Sequence, residues 1–147
     1  MALALSRQNL PPLATAAQAA DIARGGYVLR DAAGAKAVLI GTGSELQLAL
    51  KAQELLAADG IAVRVVSMPA TTVFDRQDAA YQEAVLPLAL PAVAVEAAHP
   101  DFWRKYVGRR GAVVGIATFG ESAPAGALYA HFGITAEAVA AAVRSVL

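Results

Sequence analysis

The fold class this sequence predicts is α/β: a three-layer α/β/α sandwich built on a five-stranded mixed sheet. Three observations lead there. Ala37, Val38, Leu39 and Ile40 form a short apolar run broken by Gly41-Thr42-Gly43-Ser44, the pattern of a buried strand entering a tight turn. After the turn, Gln47, Lys51, Glu54 and Ala58 share one helical face. Leu46, Ala49, Leu50, Leu55 and Leu56 cover the rest, and Asp59-Gly60 is the stop. Residues 61–68 read as a second strand, which makes a strand–turn–helix–strand unit with an expected right-handed crossover. The last observation is a short link. Residues 32–36 leave no room for a crossover helix between a strand at 27–31 and the strand at 37–40, so the first strand runs antiparallel to the others.

The remaining elements follow in order. Residues 2–6 are strand-like and stop at a polar loop ending in Pro11-Pro12. Residues 13–24 are alanine-rich and read as a loop with a helical turn, broken by Gly25-Gly26. After Met68-Pro69 a loop leads into one helix from Phe74 to about Val85, closed by Pro87 and Pro91. Residues 92–97 are an apolar strand ending near Glu96, and His99-Pro100-Asp101 opens a short helix over 102–107. Residues 112–117 are the last strand. A short helix then runs to His131 and ends at Phe132-Gly133. Thr135 is the expected N-cap of a final alanine–valine helix, with Glu137 favourably placed in its first turn.

Composition narrows the function classes. The chain has 147 residues, long enough for one domain with a real core. Lys and Arg number 12 and Asp and Glu number 12, so the net charge is zero, and no basic run or aromatic–basic alternation suggests nucleic acid. No cysteine is present, which excludes disulfides, a thiolate nucleophile and cysteine-ligated zinc. No apolar stretch is expected to reach the roughly 20 residues that span a bilayer. No signal-peptide pattern opens the chain, so the expected compartment is the cytoplasm.

The residues bear on several chemistries. Gly41-Thr42-Gly43 after a strand invites a dinucleotide reading, but Leu46 replaces the third glycine and no acidic residue ends the next strand. A plain tight turn is favoured, with a possible anion site at the helix N-terminus formed by Gly41, Thr42, Gly43 and Ser44. Gly120-Glu121-Ser122-Ala123-Pro124 resembles a nucleophile elbow with proline in place of the last glycine. His99 and His131 lack a carboxylate cluster and make a weak metal signal. Glu96, at the end of an apolar strand, is read as an acceptor for loop N–H groups, Arg104 or Lys105, with a ligand contact as the sharper alternative. Trp103 and Tyr106 with Phe102 read as packing, and Arg109-Arg110 as a solvated turn.

The segments gain an identity when taken together. They are Ser6-Arg7-Gln8-Asn9-Leu10-Pro11, Arg24-Gly25-Gly26-Tyr27-Val28-Leu29, Gly41-Thr42-Gly43-Ser44-Glu45 and Val65-Val66-Ser67-Met68-Pro69. Phe74-Asp75-Arg76-Gln77, Val95-Glu96-Ala97, Lys105-Tyr106-Val107-Gly108, Phe119-Gly120-Glu121-Ser122-Ala123-Pro124-Ala125 and His131-Phe132-Gly133-Ile134-Thr135 follow. None is diagnostic alone. In this order, over nearly the whole chain, they resemble the C-terminal domain of transketolase. Arg109, Arg110 and Ala117 depart from the family pattern and bear only on surface detail.

The resemblance implies a five-stranded mixed sheet with its first strand antiparallel. It implies that residues 1–24 are the tail of a preceding pyrimidine-binding domain plus linker, and that residues 25–147 are the C-terminal domain. The parent enzyme would use thiamine diphosphate and Mg²⁺ to move a two-carbon ketol unit between sugar phosphates, as a homodimer. This portion would hold neither cofactor nor catalytic residue and would be structural, dimer-supporting and inactive alone. Its one substrate contact would be Arg7, on the sugar phosphate. Two other readings stand beside it. One is the equivalent domain of deoxyxylulose-phosphate synthase or of a 2-oxoacid dehydrogenase β subunit. The other is a free-standing ligand-binding or regulatory module using the Gly41–Ser44 turn.

Overall fold

The computed structural model describes residues 5, 6 and 8–147. The leading segment holds a 3₁₀ turn at Ala16–Gln18 and the short helix α1 (Ala19–Ile22). Gln18 Nε2 donates to the carbonyls of Val28 and Leu29 at 3.1 and 2.9 Å, tying this segment to the sheet. The strand-like reading of residues 2–6 falls mostly outside the described residues, and Leu5 and Ser6 belong to no strand.

Five strands follow: β1 (Tyr27–Arg30), β2 (Ala37–Gly41), β3 (Val63–Ser67), β4 (Ala92–Val95) and β5 (Ala112–Val114). Their order is β1-β3-β2-β4-β5. β1 pairs with β3 antiparallel, Tyr27 opposite Ser67, and every other pair is parallel. The short link after β1 therefore had the consequence expected of it. Strands 61–68, 92–97 and 112–117 are shorter in the structure, at 63–67, 92–95 and 112–114, although Met68, Glu96 and Ile116 still donate backbone hydrogen bonds to neighbouring segments.

Alternation along the strands divides the core in two. Ala37, Leu39, Val63, Val65, Val93 and Val95 face α2 (Leu46–Ala58) and α7 (Ala136–Val146). Val38, Ile40, Val66, Ala92 and Ala94 face α3 (Thr71–Phe74), α4 (Ala79–Val85) and α5 (Arg104–Val107). Helices thus cover both faces, as a mostly parallel sheet requires. Each large aliphatic side chain so buried contributes about 1.5–3 kcal/mol of transfer free energy.

Local deviations have local causes. The helix expected from Phe74 to Val85 is realised only over Ala79–Val85. The expected loop before Phe74 is itself the short helix α3, the chain turns over 75–78, and Asp78, in extended backbone, caps α4 by accepting from the Tyr81 N–H at 2.8 Å. In α2, Leu55 is exposed, whereas Gln53 is buried and donates to the Val63 carbonyl at 2.8 Å. Thr135 caps α7 as expected, accepting from the Ala138 N–H at 3.1 Å. The stretch Ala125–Val146 does reach 22 residues with mean hydropathy 1.3, contrary to the expectation that no apolar run is long enough to span a bilayer. It is two helices, α6 (Ala125–Phe132) and α7, parted by Gly133 in the left-handed conformation, and α7 buries Ala136, Val139, Ala140 and Val143 against the sheet layer.

Candidate functional site at the carboxyl end of the sheet

β2 sends the chain to β3 on one side, and β4 lies on its other side. The carboxyl ends of β2 and β4 therefore flank the point where strand order reverses, the usual ligand crevice of an open α/β sheet. A cleft of about 380 Å³ lies there, lined among others by Gln8, Ser44, Glu45, Ala97, Ile116 and Tyr129.

The Gly41–Ser44 turn forms one wall. A Cβ on Gly41 would lie 3.0 Å from Leu46 Cα, so this glycine supplies the close strand–helix approach for which the sequence reading found no provision. Gly43 has open space around it and a φ of +53°, so its role is conformational. A 3₁₀ turn at Gly43–Glu45 then leads into α2. Glu45 is only 5% exposed, and its carboxylate already sits beside this helix start. Ser44 Oγ donates to Glu45 Oε1 at 2.7 Å, and the Tyr129 hydroxyl donates to the same oxygen. A phenol has one proton to give, so the 3.0 Å approach of Tyr129 Oη to Ser44 Oγ is a contact between two donors converging on one acceptor. Tyr129 Oη in turn accepts from Gln8 Nε2 at 3.1 Å. Burial, then the bond to Glu45, pushes the Tyr129 hydroxyl pKa up, which keeps its proton in place near neutrality.

Other candidates resolve differently. Arg7 lies outside the described residues. Glu96 is a structural acceptor, but its partner is neither Arg104 nor Lys105: the buried Trp103 indole N–H donates to its Oε2 at 2.6 Å. Trp103 also packs edge-on to Phe102 and against Tyr106, as the aromatic cluster suggested. Lys105 instead pairs with Asp75 at 2.6 Å, and the Tyr106 hydroxyl donates to Asp75 at 3.0 Å; Lys105 first, then Tyr106, holds the Asp75 carboxyl below its ordinary range. Ser122 lies in an exposed loop, beyond the end of β5 and short of α6, so no nucleophile elbow forms. His131 and His99 are exposed, and His99 Nδ1 accepts from the Asp101 N–H at 3.4 Å. Arg109 and Arg110 line a smaller groove of about 230 Å³ at the amino end of the sheet.

Cofactor fit is equally local. Among the described residues no three His, Asp or Glu side chains gather into a metal-binding group. Asp59-Gly60, the one Asp-Gly pair, is committed to ending α2, with Asp59 in an ion pair to Arg144. Glu45 is occupied by two hydroxyl donors. These residues do not fit a diphosphate–Mg²⁺ site. Tyr129 and Glu45 were missed in the sequence because a tyrosine on an alanine-rich helix and a glutamate opening another carry no spacing signal.

The family profile described as "Transketolase-like TK C-terminal domain" matches residues 25–135. The chain is 56% identical to transketolase 1 of Escherichia coli over 149 aligned residues, covering 99% of this chain and 22% of that protein. It is 57% identical to the plasmid transketolase of Cupriavidus necator, again over 99% of this chain and 22% of the relative. The chain thus spans about a fifth of the length of these relatives. Among solved structures, transketolase of Pichia stipitis in complex with sedoheptulose 7-phosphate superposes with a TM-score of 0.84 at 36% identity, over 95% of this chain and 20% of that one. The inactive beta4 tetramer of a split-gene transketolase gives 0.71 at 29% identity, over 96% of this chain and 48% of that one. By the matched profile, the extent of identity and the shared sheet, the chain belongs to the transketolase family, as a transketolase C-terminal domain.

Proposed function

We propose that this chain is the C-terminal domain of an enzyme that transfers a two-carbon ketol unit between ketose and aldose phosphates. The observation behind the reading is 56% identity to a transketolase along essentially the whole chain. In the proposed enzyme, thiamine diphosphate with Mg²⁺ supplies the carbanion chemistry and is held by parts of the enzyme other than this domain. Residues 1–24 form the tail of the preceding domain plus linker, a division supported by the family match starting at residue 25. Residues 25–147 pack against the remainder and support a homodimer. The misfit of Asp59 and Glu45 to a metal–diphosphate site supports this division of labour. So does the inactivity named for the split-gene tetramer.

Arg7, in the tail ahead of the domain, is the one substrate contact this chain brings. A guanidinium suits it, since its planar fork donates two hydrogen bonds to phosphate oxygens and stays charged at any relevant pH. A charged hydrogen bond of about 1.5–3 kcal/mol corresponds to about ten- to a hundredfold in affinity. Arg7→Ala in the full-length enzyme is therefore expected to raise KM for sugar phosphates by that factor and to change kcat less.

The test of the reading is a chimera in which this chain replaces the matching part of E. coli transketolase 1. Ketol transfer between sugar phosphates is expected. A chimera that dimerises and binds cofactor yet transfers nothing overturns the reading. Calorimetric titration of the isolated chain with thiamine diphosphate and Mg²⁺ is expected to give no saturable heat, and micromolar binding overturns the division of labour.

A further inference from the structure

The hydrogen-bonded chain at the crevice leads from the buried interior to the residue next to Arg7. Glu45, 5% exposed, accepts from the Tyr129 hydroxyl; Tyr129 Oη accepts from Gln8 Nε2 at 3.1 Å. Gln8 also donates its backbone N–H to Ser6 Oγ at 3.0 Å, so the two neighbours of Arg7 are tied to one another. Ser6 and Gln8 together line a shallow recess with Ala123, Ala125 and Leu128, beside the first turn of α6. An exposed Gln–Tyr bond standing alone would compete poorly with water. Here the phenol donates a hydrogen bond to a buried carboxylate, which makes its oxygen a stronger acceptor for Gln8. The contact spans 121 positions of sequence, from the start of the chain to α6. No helix or strand needs it: α6 is complete without the Tyr129 hydroxyl, and Gln8 lies outside regular structure.

We propose that Tyr129, held by Glu45, is a positioning residue that anchors Gln8 and so holds the peptide adjoining Arg7 in place for the substrate phosphate. The inference rests on the reading of Arg7 as that phosphate contact. A guanidinium on a loose segment would lose conformational entropy each time it gripped a phosphate, and an anchor one residue away removes part of that cost in advance. Loss of the anchor therefore weakens phosphate binding without touching the reacting carbonyl. It also places a specificity determinant on α6, a helix that brings no residue of its own to the reaction.

The test uses the full-length enzyme carrying this domain and compares KM for a pentose phosphate acceptor with KM for glycolaldehyde, which has no phosphate. Tyr129→Phe keeps the ring and removes only the hydroxyl; Gln8→Ala alters an exposed side chain and leaves the core alone. Each is expected to raise the ratio of the two KM values about two- to tenfold, the worth of one neutral hydrogen bond. The double variant is expected to equal the larger single effect, because the two residues act in series. Arg7→Ala run beside them separates the two claims. If Arg7→Ala raises the ratio while Tyr129→Phe and Gln8→Ala leave it at the parent value, or shift both KM values alike, the anchor is refuted and the Arg7 reading stands. Additive single effects refute the serial arrangement. If Arg7→Ala itself leaves the ratio unchanged, both fall.

Discussion

Glu96 offers a sharp test of whether a carboxylate at a strand end is there for the fold or for a ligand. Its Oε2 accepts the indole N–H of Trp103 at 2.6 Å, and Trp103 is 1% exposed. Replacing Glu96 by alanine leaves a buried N–H with no acceptor, which costs about 1–3 kcal/mol. Glutamine retains an acceptor oxygen and loses only the charge, so it forfeits the difference between a charged and a neutral bond, about 1 kcal/mol. For a domain of this size each kcal/mol moves Tm by about 2–4 °C. Glu96→Ala is then expected to melt about 2–12 °C below the parent and Glu96→Gln about 2–4 °C below it. Thermal unfolding followed by circular dichroism reads the shift. Fluorescence reads the site itself, because Trp103 is the only tryptophan in the chain. A Glu96→Ala protein with parental Tm and unshifted emission would show that the bond contributes nothing. A Glu96→Gln protein of parental stability whose full-length form loses substrate affinity would make Glu96 a ligand contact instead.

Three further outcomes are expected. Arg64 holds Asp31 through bonds of 3.0 and 2.8 Å, and Lys105 holds Asp75, so both carboxyl pKa values lie below the ordinary 3.8. A depressed folded pKa contributes stability that is complete above the unfolded value and is lost as pH falls through the folded one, so denaturant midpoints should decline below about pH 4, and less steeply in Asp31→Asn; an identical acid limb in that variant refutes the assignment. Gly41→Ala drives a methyl to 3.0 Å from the α2 backbone and should destabilise by about 1–3 kcal/mol in urea titration, with a parental midpoint counting against the close approach. ATP and NAD are expected to show no saturable binding at the Gly41–Ser44 turn, because Glu45 already places a carboxylate at this helix start; calorimetric binding abolished by Gly43→Val would reverse that.

The sheet could be read ahead of the structure wherever burial writes a period into the sequence. β4 and all of β2 before Gly41 are runs of Val, Leu, Ile and Ala because both of their faces are covered, β3 departs from this at Arg64 and its terminal Ser67, and the antiparallel β1 followed from the brevity of its link to β2. Misreadings occurred where a single side chain redirects the backbone. Asp78 caps α4 and so sets its start at Ala79, a decision made by one hydrogen bond that leaves no trace in the apolar period of 74–85. Gln53 sits at a core position in α2 because its amide reaches the Val63 carbonyl across a layer, which no pattern within the helix announces. Leu55 errs the other way: it is apolar at a position whose neighbours in space are solvent.

The crevice was foreseeable as a place and not as a set of groups, and the reason is physical. Strand ends and their turns are local in sequence, so Gly41–Ser44 could be named. The partners that give the turn its character come from elsewhere: Tyr129 from α6 and Gln8 from the start of the chain. Their meeting depends on α6 bringing Tyr129 to the turn after β2, a tertiary fact. Once it is known, the turn is read differently. A bare glycine turn opening a helix invites an anion. The same turn with a buried glutamate beside it presents a carboxylate that must be satisfied by donors, and it recruits two hydroxyls. The helix start then becomes the fixed end of a hydrogen-bonded chain reaching outward, rather than a receptor for a ligand arriving from solvent. If Arg7 grips the substrate phosphate as proposed, the contribution of α2 to it is indirect: its start carries Glu45, which accepts from Tyr129, whose oxygen accepts from Gln8, the residue after Arg7.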